Sequence, residues 1–269
     1  MKKILNIIAL LLIGISVQAQ DKAFDNINIS YLSIGGGITN CRYETGFNGT
    51  PNGSFVADLG YIRMFKHGLG IGVGVRTTNM GSTVGFTKQF ALQTGLVDAE
   101  GEEYDLSTLY SNVSEKHALW YVGLPVYLQY LHPFNDKLGL RAAVGLSVML
   151  AVSSTYNTIS GRIANEAYYP EWNVTLHDID GIYDSHELAL SSGIEPAYRK
   201  GGLALDLSAG LVYRLNSKIN MTVGVAYSQM LTNILAEGLA ESLVVQSLEE
   251  RKALPYDVNL KIGLEYFGF

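Results

Sequence analysis

Cysteine, charged side chains and long apolar runs are all scarce in this sequence. Cys41 is the only cysteine, so no intrachain disulfide can form. Charged residues make up 16% of the chain, which is little for the surface of a soluble domain. Lysine and arginine number 19 against 25 acidic residues, and this balance argues against a nucleic-acid partner. After the N-terminal segment, no stretch has the roughly 18 consecutive apolar residues that a membrane-spanning helix needs.

Apolar, glycine and tyrosine residues are abundant instead. The chain is 48% hydrophobic and contains 29 glycines and 17 tyrosines. Such a composition is too apolar for a disordered protein. It predicts a fold that distributes its apolar residues by alternation rather than in long runs.

The first 19 residues are typical of an export signal. Lys2 and Lys3 form a basic start, residues 4–17 an apolar centre, and Val17-Gln18-Ala19 a cleavage site with small residues at −3 and −1. We expect cleavage before Gln20, which leaves one domain at residues 20–269. Loss of the two lysines takes the formal net charge from −6 to −8. The alternative is an N-terminal membrane anchor, for which the apolar run is short.

Apolar residues alternate with small or polar ones through most of the remaining chain. A period of two is the pattern of β-strands with two different faces. It is clear at residues 68–77, 138–152, 202–215, 219–228 and 256–266, and weaker at about 28–43, 54–61 and 120–130. The first of the weaker strands contains the run Gly35-Gly36-Gly37, which predicts a bulge or bend and leaves the parity of that strand open.

The connections between these eight strands fall into two classes. Tight turns are predicted at 65–68, 132–137 and 215–218, and longer loops at about 44–53, 79–117, 154–201 and 230–255. Short turns at one end and long extracellular loops at the other are typical of outer-membrane barrels. Aromatic residues lie near both sets of strand ends, where interfacial girdles are expected: Tyr61, Phe65, Tyr130, Phe134, Tyr213 and Tyr266 near the turns, and Phe55, Trp120 and Tyr256 near the loops.

The sequence therefore predicts an all-β fold, an eight-stranded antiparallel up-and-down transmembrane β-barrel in the cell outer membrane. A soluble lipocalin-like barrel is the alternative, but it would point its apolar face inward and cover its outside with charge. Here the second face of the strands is mostly Gly, Ala, Ser, Thr and Asn. Small side chains of this kind suit a narrow, filled lumen.

Several strand sequences resemble a known family. The segment LWYVGLPVYLQY, residues 119–130, is similar to the Y-L-x-x-P-L-L-L-x-Y strand of the PorT-like outer-membrane barrels of Bacteroidota. Residues 202–214 resemble that family too, and YSQMLTNI at 227–234 resembles its Y-x-x-G-L-x-N-I segment, with Met230 in place of the usual glycine. The resemblance implies an outer-membrane barrel. Most members have no assigned activity, while PorT itself belongs to a protein-secretion apparatus.

The inner face carries charged residues that we predict to form an ion-pair network plugging the lumen, because charges in a narrow barrel must be paired. The tight hairpin at 65–68 places Asp58 nearly opposite Arg76. The predicted network consists of Asp58, Arg76, Arg141, Asp206, Arg214, Lys261 and Glu265, with Asp257 on the same face. A proton or ion path through the lumen is the alternative.

The loop at 154–201 is the predicted interaction surface, since its many aromatic residues favour a packed cap or a partner surface. Its candidate residues are Tyr168, Tyr169, Trp172, His177, Asp178, Asp180, Asp184 and His186. The acidic run at 178–184 partly matches a calcium loop but lacks its length and closing Glu. In the fourth loop, residues 234–254 have helical apolar spacing, which predicts an amphipathic helix over the barrel mouth.

These patterns predict a binding or structural role through the loops or the periplasmic turns, and not an open pore. The expected partners are outer-membrane lipid or lipopolysaccharide and a protein partner or secretion complex. The alternative is an accessory subunit of a secretion apparatus, and an outer-membrane enzyme comes third. We predict no catalytic residues, cofactor or metal, because His67 and His132 lie at turns and no phosphate loop or nucleophile elbow is present.

Overall fold

The computed structural model describes residues 27–43, 47–177, 185–198, 200–236, 240–248 and 252–268. The predicted export signal, and Asp178, Asp180 and Asp184 of the predicted interaction loop, lie outside the described residues. Within these ranges, eleven strands run in the order β1 (Asn28–Arg42), β2 (Asn48–Met64), β3 (Leu69–Val97), β4 (Glu103–Pro133), β5 (Leu138–Tyr169), β6 (Val174–Leu176), β7 (Ser185–Glu187), β8 (Ser192–Ile194), β9 (Gly201–Arg214), β10 (Ile219–Met230) and β11 (Leu254–Gly268). The same ranges contain one short α-helix, α1, at Leu243–Ser247.

Eight of these strands close into a barrel. Strands β1 to β5 pair in sequence order, each antiparallel to the one before it. The ring continues through the antiparallel pairs β5–β9, β9–β10 and β10–β11. The ring closes where β1 pairs with β11, from Asn28 opposite Gly268 to Arg42 opposite Leu254. The predicted eight-stranded up-and-down barrel is confirmed. The three short strands β6, β7 and β8 lie along the free edge of β5.

The two faces of the barrel strands divide as the alternation predicts. Leu69, Ile71, Val73 and Val75 of β3 are between 42% and 56% exposed, and they form part of an apolar outer surface. The alternative of a soluble barrel with an apolar interior face is wrong, because the apolar stripe points outward. No helix among the described residues has the length and apolar character to cross a membrane.

The glycine run of β1 is not a bulge. Pairing on both sides of β1 continues through residues 35–37 without a shift of register, so the predicted bulge is wrong. Leu32, Ile34 and Ile38 are more than half exposed, which settles the parity of the strand. Close approach of neighbouring strands explains the glycines. A Cβ atom added at Gly37 would lie 1.9 Å from the backbone oxygen of Val258.

Strands β3, β4 and β5 continue far beyond the barrel. They are 29, 31 and 32 residues long, and the hairpin between β3 and β4 turns only at residues 98–102. The predicted loop at 79–117 is therefore wrong over most of its length, and the predicted loop at 154–201 is wrong over residues 154–169, which belong to β5. The loop at 44–53 is shorter because β2 begins at residue 48. Beyond the membrane the outer face of a strand need not be apolar. The alternation of apolar and polar residues by which a strand is recognised in the sequence is then lost. We call residues 82–97, 103–117 and 154–169 the sheet extension.

The extension is long in absolute terms. From Trp120, where the outer aromatic residues lie, to Glu103, β4 continues for about 55 Å of strand length.

On the side of β2, pairing with β3 ends at Gly85. The pairing of β3 with β4 shifts register between residues 86 and 88, 90 and 92, and 93 and 96. Such bulges twist a strand edge and oppose pairing with another chain.

Two apolar clusters lie in the lumen, one towards each end. The lower plug, at the end with the short turns, consists of Ile29, Ile62, Met64, Leu131, Val212 and Phe267. The upper plug joins inward residues of the barrel, among them Met80, Leu119, Tyr121, Met149 and Met230, to Ile234, Leu235, Val245 and Leu248 of the β10–β11 connection. The predicted helix over 234–254 is wrong, since α1 is the only helical part of its described residues. Its apolar residues do pack over the barrel mouth.

Candidate functional site

The middle of the lumen, between the two plugs, holds a layer of paired charges. Asp58 lies directly opposite Arg76 in the β2–β3 ladder, and Nε of Arg76 donates to Oδ1 of Asp58 at 2.5 Å. The same guanidinium donates through Nη1 to Asp206 of β9. The Nζ atom of Lys261, on β11, donates to the second carboxylate oxygen of Asp58. One arginine and one lysine thus connect four strands across the lumen.

A second ion pair lies closer to the short turns. Arg141 and Glu265 form a bidentate pair, with Nη2 of the arginine 2.9 Å from Oε2 of the glutamate. The side-chain amide of Asn220 donates to the same Oε2 at 3.3 Å. Arg214, the remaining predicted member, lies opposite Asn220 in the β9–β10 ladder.

The lumen also contains polar groups that were not counted in the predicted ion-pair network. Asp257 is buried and accepts a hydrogen bond from Oγ1 of Thr78 at 3.1 Å. Ser147 donates to Asp206, and Ser33 donates to Asp58 at 3.4 Å. The period-two alternation already placed Ser147 on the inner face, but small hydroxyl residues carry no signal of their own for a charged partner.

A cavity of about 130 Å³ remains inside this polar layer. Its lining includes Arg76, Arg141, Asp206, Lys261 and Glu265. The volume suits a few water molecules. The cavity lies between the apolar plug above it and the apolar plug below it.

The upper plug is held in place by a buried glutamate. Glu115, on β4 beyond the membrane-facing part of the strand, is fully buried. It accepts hydrogen bonds from Oγ1 of Thr158 at 2.9 Å and Oγ of Ser242 at 2.8 Å. It also accepts from the backbone N–H groups of Leu243 at 3.2 Å and Val244 at 2.9 Å. Burial alone would raise the pKa of Glu115, but the neighbouring His117 imidazole and hydrogen bonds from Val244 and Ser242 lower it to about 2.

A second buried glutamate completes this arrangement. Glu195, in the segment that leads into β9, accepts from the backbone N–H groups of Ala197 at 2.9 Å, Glu241 at 3.1 Å and Ser242 at 2.6 Å. Together the two carboxylates satisfy the backbone donors at the start of α1. We call Glu115 and Glu195 the carboxylate latch. Glu115 lies in a segment predicted to be a loop and Glu195 in irregular chain, so the sequence pattern indicated neither of them.

A buried histidine lies beside the latch. Nδ1 of His117 is 2.9 Å from the hydroxyl of Tyr198, and Nε2 is 3.6 Å from Oε2 of Glu115. Burial raises the pKa of Tyr198 well above its usual value, so the phenol keeps its proton. The pair of His117 and Glu115 is enclosed by the upper plug and faces no solvent.

The far end of the sheet extension is aromatic. We call residues 93–111 and 163–176 the tip. The ring of Tyr169 stacks on that of Tyr104 at 5.5 Å and on that of Trp172 at 5.2 Å, and its hydroxyl donates to Oδ2 of Asp98 at 3.1 Å. The hydroxyl of neighbouring Tyr168 donates to Asn173 at 3.0 Å.

The structure therefore brings three of the predicted interaction residues together at the tip: Tyr168, Tyr169 and Trp172. His177 is exposed just beyond β6, and His186 is exposed in β7, opposite Ile163 of β5. Tyr104 was missed because it lies in a segment predicted to be a loop. Among the described residues, no group of three His, Cys, Asp or Glu side chains is arranged to hold a metal ion.

Comparison with protein-family models assigns the chain. Residues 7–243 match the model described as "Outer membrane protein beta-barrel domain". The chain belongs to this family. As a member of the outer membrane protein beta-barrel domain family, it is an integral protein of the outer membrane, which agrees with the apolar outer face of its barrel. No curated protein is significantly similar in sequence.

Solved structures of outer-membrane barrels are similar to this family member in fold alone. Neisserial surface protein A is 9% identical with a TM-score of 0.39, over 88% of this chain and 96% of that one. OprG from Pseudomonas aeruginosa is 13% identical with a TM-score of 0.33, over 92% and 99%. The outer membrane protease OmpT from Escherichia coli is 10% identical with a TM-score of 0.31, over 93% and 99%.

Proposed function

We propose that this outer-membrane barrel is a closed membrane anchor that presents the sheet extension as a binding surface outside the cell. The observation that carries the proposal is the length of β3, β4 and β5, which hold an ordered aromatic tip far from the barrel. Ordered sheets are suited to display a binding surface because they position side chains rigidly. In outer-membrane barrels the long connections face the exterior.

The lumen supports a role that does not involve transport. Asp58, Asp206 and Glu265 are paired with arginine or lysine side chains, the cavity measures about 130 Å³, and an apolar plug lies on either side of it. An eight-stranded barrel is wide enough for its own side chains and little else. We therefore propose that the barrel serves stability and anchoring.

We also propose that the protein is not an enzyme. Its most suggestive pair for acid–base chemistry, Glu115 and His117, is fully buried. The glutamate accepts four hydrogen bonds from Thr158 and residues 242–244 and has no accessible space for a substrate. A catalytic pair needs a reacting group within hydrogen-bond reach.

Site-specific photo-crosslinking in intact cells tests the proposed function. A photoreactive residue at Trp172 samples the tip, and one at Asp136, in the turn between β4 and β5, samples the opposite end. We expect crosslinks to a defined partner from position 172 and none from position 136. Reconstituted wild type should show no single-channel current in planar bilayers. Stepwise conductance, or crosslinks from position 136 alone, would contradict the proposal.

The second candidate is an accessory subunit of a protein-secretion apparatus. It is favoured by the resemblance of residues 119–130 and 227–234 to PorT-like barrels. This function predicts crosslinks from the periplasmic turn at position 136 and co-purification of several envelope proteins in fixed proportion. The same pair of crosslinking positions therefore distinguishes the two candidates.

A further inference from the structure

Negative charge is concentrated at the tip. Residues 93–111 and 163–176 contain seven acidic side chains and no lysine, arginine or histidine. Without Lys2 and Lys3 of the predicted export signal the formal net charge is −8, so the rest of the chain carries a net charge of only −1. The acidic residues at the tip are Asp98, Glu100, Glu102, Glu103, Asp105, Glu166 and Glu171.

An exposed apolar surface lies among these carboxylates. Trp172 is 50% exposed and Val174 is 41% exposed. Stacking on Tyr169 at an interplanar angle of 9° covers one face of the indole, so the exposed half offers the other face. The buried Tyr169 and its partners fix the position of the ring. A rigid aromatic anchor surrounded by polar groups is the usual composition of a binding surface.

The carboxylates around the anchor repel one another. Partial burial raises the pKa of Glu102, and the nearby charges of Glu171, Asp98 and Glu100 raise it further. Asp98 behaves differently because the backbone N–H groups of Glu102 and Glu100 and the hydroxyl of Tyr169 hold its pKa low. A cationic partner placed between Glu102 and Glu171 would relieve the repulsion, while an anionic surface would increase it.

We propose that the exposed face of Trp172, with Val174 and the surrounding carboxylates, is a docking surface for a cationic, arginine-rich polypeptide segment. The inference rests on the proposed function and names the chemistry of its partner. Charge complementarity selects a cation, and the free indole face selects a guanidinium, which stacks on aromatic rings better than an ammonium does. Anionic lipid headgroups and nucleic acids carry the wrong charge for this surface.

Peptide binding to the full-length protein tests the proposal. The protein is placed in phosphatidylcholine nanodiscs, and fluorescein-labelled deca-arginine, decalysine and decaglutamate are titrated by fluorescence anisotropy. We expect deca-arginine to bind more tightly than decalysine, and decaglutamate not to bind. In a W120F background Trp172 is the only tryptophan, so its emission should change as deca-arginine binds.

Matched variants separate a docking surface from general attraction. E100Q/E171Q should weaken deca-arginine binding about tenfold, while D136N/E187Q, which removes the same charge elsewhere, should leave it unchanged. W172A keeps all charges and should weaken binding about fivefold, while F134A, at an exposed aromatic residue of the opposite end, should not. Wild-type affinity in either tip variant would overturn the proposal.

Calcium provides a further discriminating outcome. If submillimolar Ca²⁺ binds the tip and displaces deca-arginine, the carboxylates form a divalent-cation site and the proposal fails. Failure here is distinguishable from failure of the proposed function. Crosslinks from position 172 without deca-arginine binding would support the proposed function but contradict an arginine-rich partner. Absence of both crosslinks and deca-arginine binding would contradict both proposals.

Discussion

Arg76 connects β3 to β2 and β9 through a single guanidinium. Its partners Asp58 and Asp206 are both buried, and Lys261 shares Asp58. Removing Arg76 takes the cationic partner from buried Asp206 and leaves buried Asp58 paired with Lys261. Breaking a buried ion pair by deleting one member costs about 3–5 kcal/mol.

We therefore expect R76A to unfold at a lower urea concentration than wild type in lipid vesicles, with a loss of about 3–5 kcal/mol. The matched control is R42A, because Arg42 is exposed and lies 5.7 Å from the centre of the Tyr256 ring. R42A should lose less than about 1 kcal/mol. Equal destabilisation by the two variants would show that the lumenal network adds no special stability.

Glu115 is the residue on which the upper plug depends. In E115Q an amide N–H₂ replaces one carboxylate oxygen and faces donors instead of accepting from them. We expect the segment 241–248 to open more readily by about 2–3 kcal/mol, because hydrogen bonds to a charged acceptor are lost. Hydrogen exchange of residues 241–248 measures this opening. E187Q, at an exposed glutamate of β7, should exchange as wild type does.

The same glutamate gives the plug a defined dependence on pH. The pKa of Glu115 lies at about 2 in the folded protein, below its ordinary value of 4.5. A lowered carboxyl pKa adds stability that is complete above the ordinary pKa and is lost as pH falls towards the folded one. We expect exchange of residues 241–248 to accelerate between pH 4.5 and pH 2 in wild type. If E115Q showed the same acceleration, another group would be responsible.

At the residue scale, the sequence is informative where a strand fixes the direction of a side chain. The tight turn at 65–68 sets the register that pairs Asp58 with Arg76, so this contact follows from alternation and turn length. Glu195 lies in irregular chain, and its position depends on how two distant connections fold against each other. Local pattern carries no information about that kind of contact.

Among the elements, the seam between β1 and β11 is the most demanding sterically. Its strands approach so closely at Gly37 that a Cβ atom there would clash with the backbone oxygen of Val258. A backbone atom in a ladder cannot move away without breaking its hydrogen bonds. Glycine is therefore required at this position for the seam to close.

We expect G37A to reduce the folded, heat-modifiable band on unboiled gels and to cost about 1–3 kcal/mol, as overpacked sites do. G53A is the control, since a Cβ atom at Gly53 would have nothing within 4 Å. Folding of G37A to wild-type yield and stability would mean that the seam can adjust. Both substitutions place the same methyl group on a barrel strand, so intrinsic propensity is matched.

Element boundaries were predictable only where lipid enforces a contrast between the two faces. Within the membrane the outer residues are apolar and the inner ones small, and the strands there are found correctly. In the sheet extension both faces carry mixed residues, so β4 beyond Trp120 gives no period-two signal. The spacing at 234–254 favours a helix, but packing against the barrel mouth overrides it.

At the scale of the whole molecule, the proposed closed anchor has three layers in its lumen: paired charges and an apolar plug on either side of them. Loss of one layer leaves the others, so neither R76A nor E115Q should conduct ions in planar bilayers. Single-channel recording of both variants beside wild type measures this. Current in E115Q alone would show that the upper plug is the sole barrier, and current in R76A alone would assign that role to the charged layer.

At this largest scale, the fold class follows from composition and alternation together. Low charge, many glycines and eight alternating segments are compatible with few architectures other than a membrane barrel. The charge asymmetry between barrel and tip is also present in the sequence. The acidic residues of 93–111 and 163–176 are distant along the chain, and they can be recognised as one surface only once the structure shows that the two segments meet at one end of a sheet.

The pairing of β1 with β11 also governs the order of events during biogenesis. The first and last strands meet over 15 residue pairs, so the barrel cannot close until the C-terminal strand has been delivered. Until then the outer edges of both strands remain open to foreign partners. Contacts of such high sequence separation also make folding slow. A ribosome that stops before residue 254 therefore produces a chain with no means of closing the barrel, however complete its other strands are.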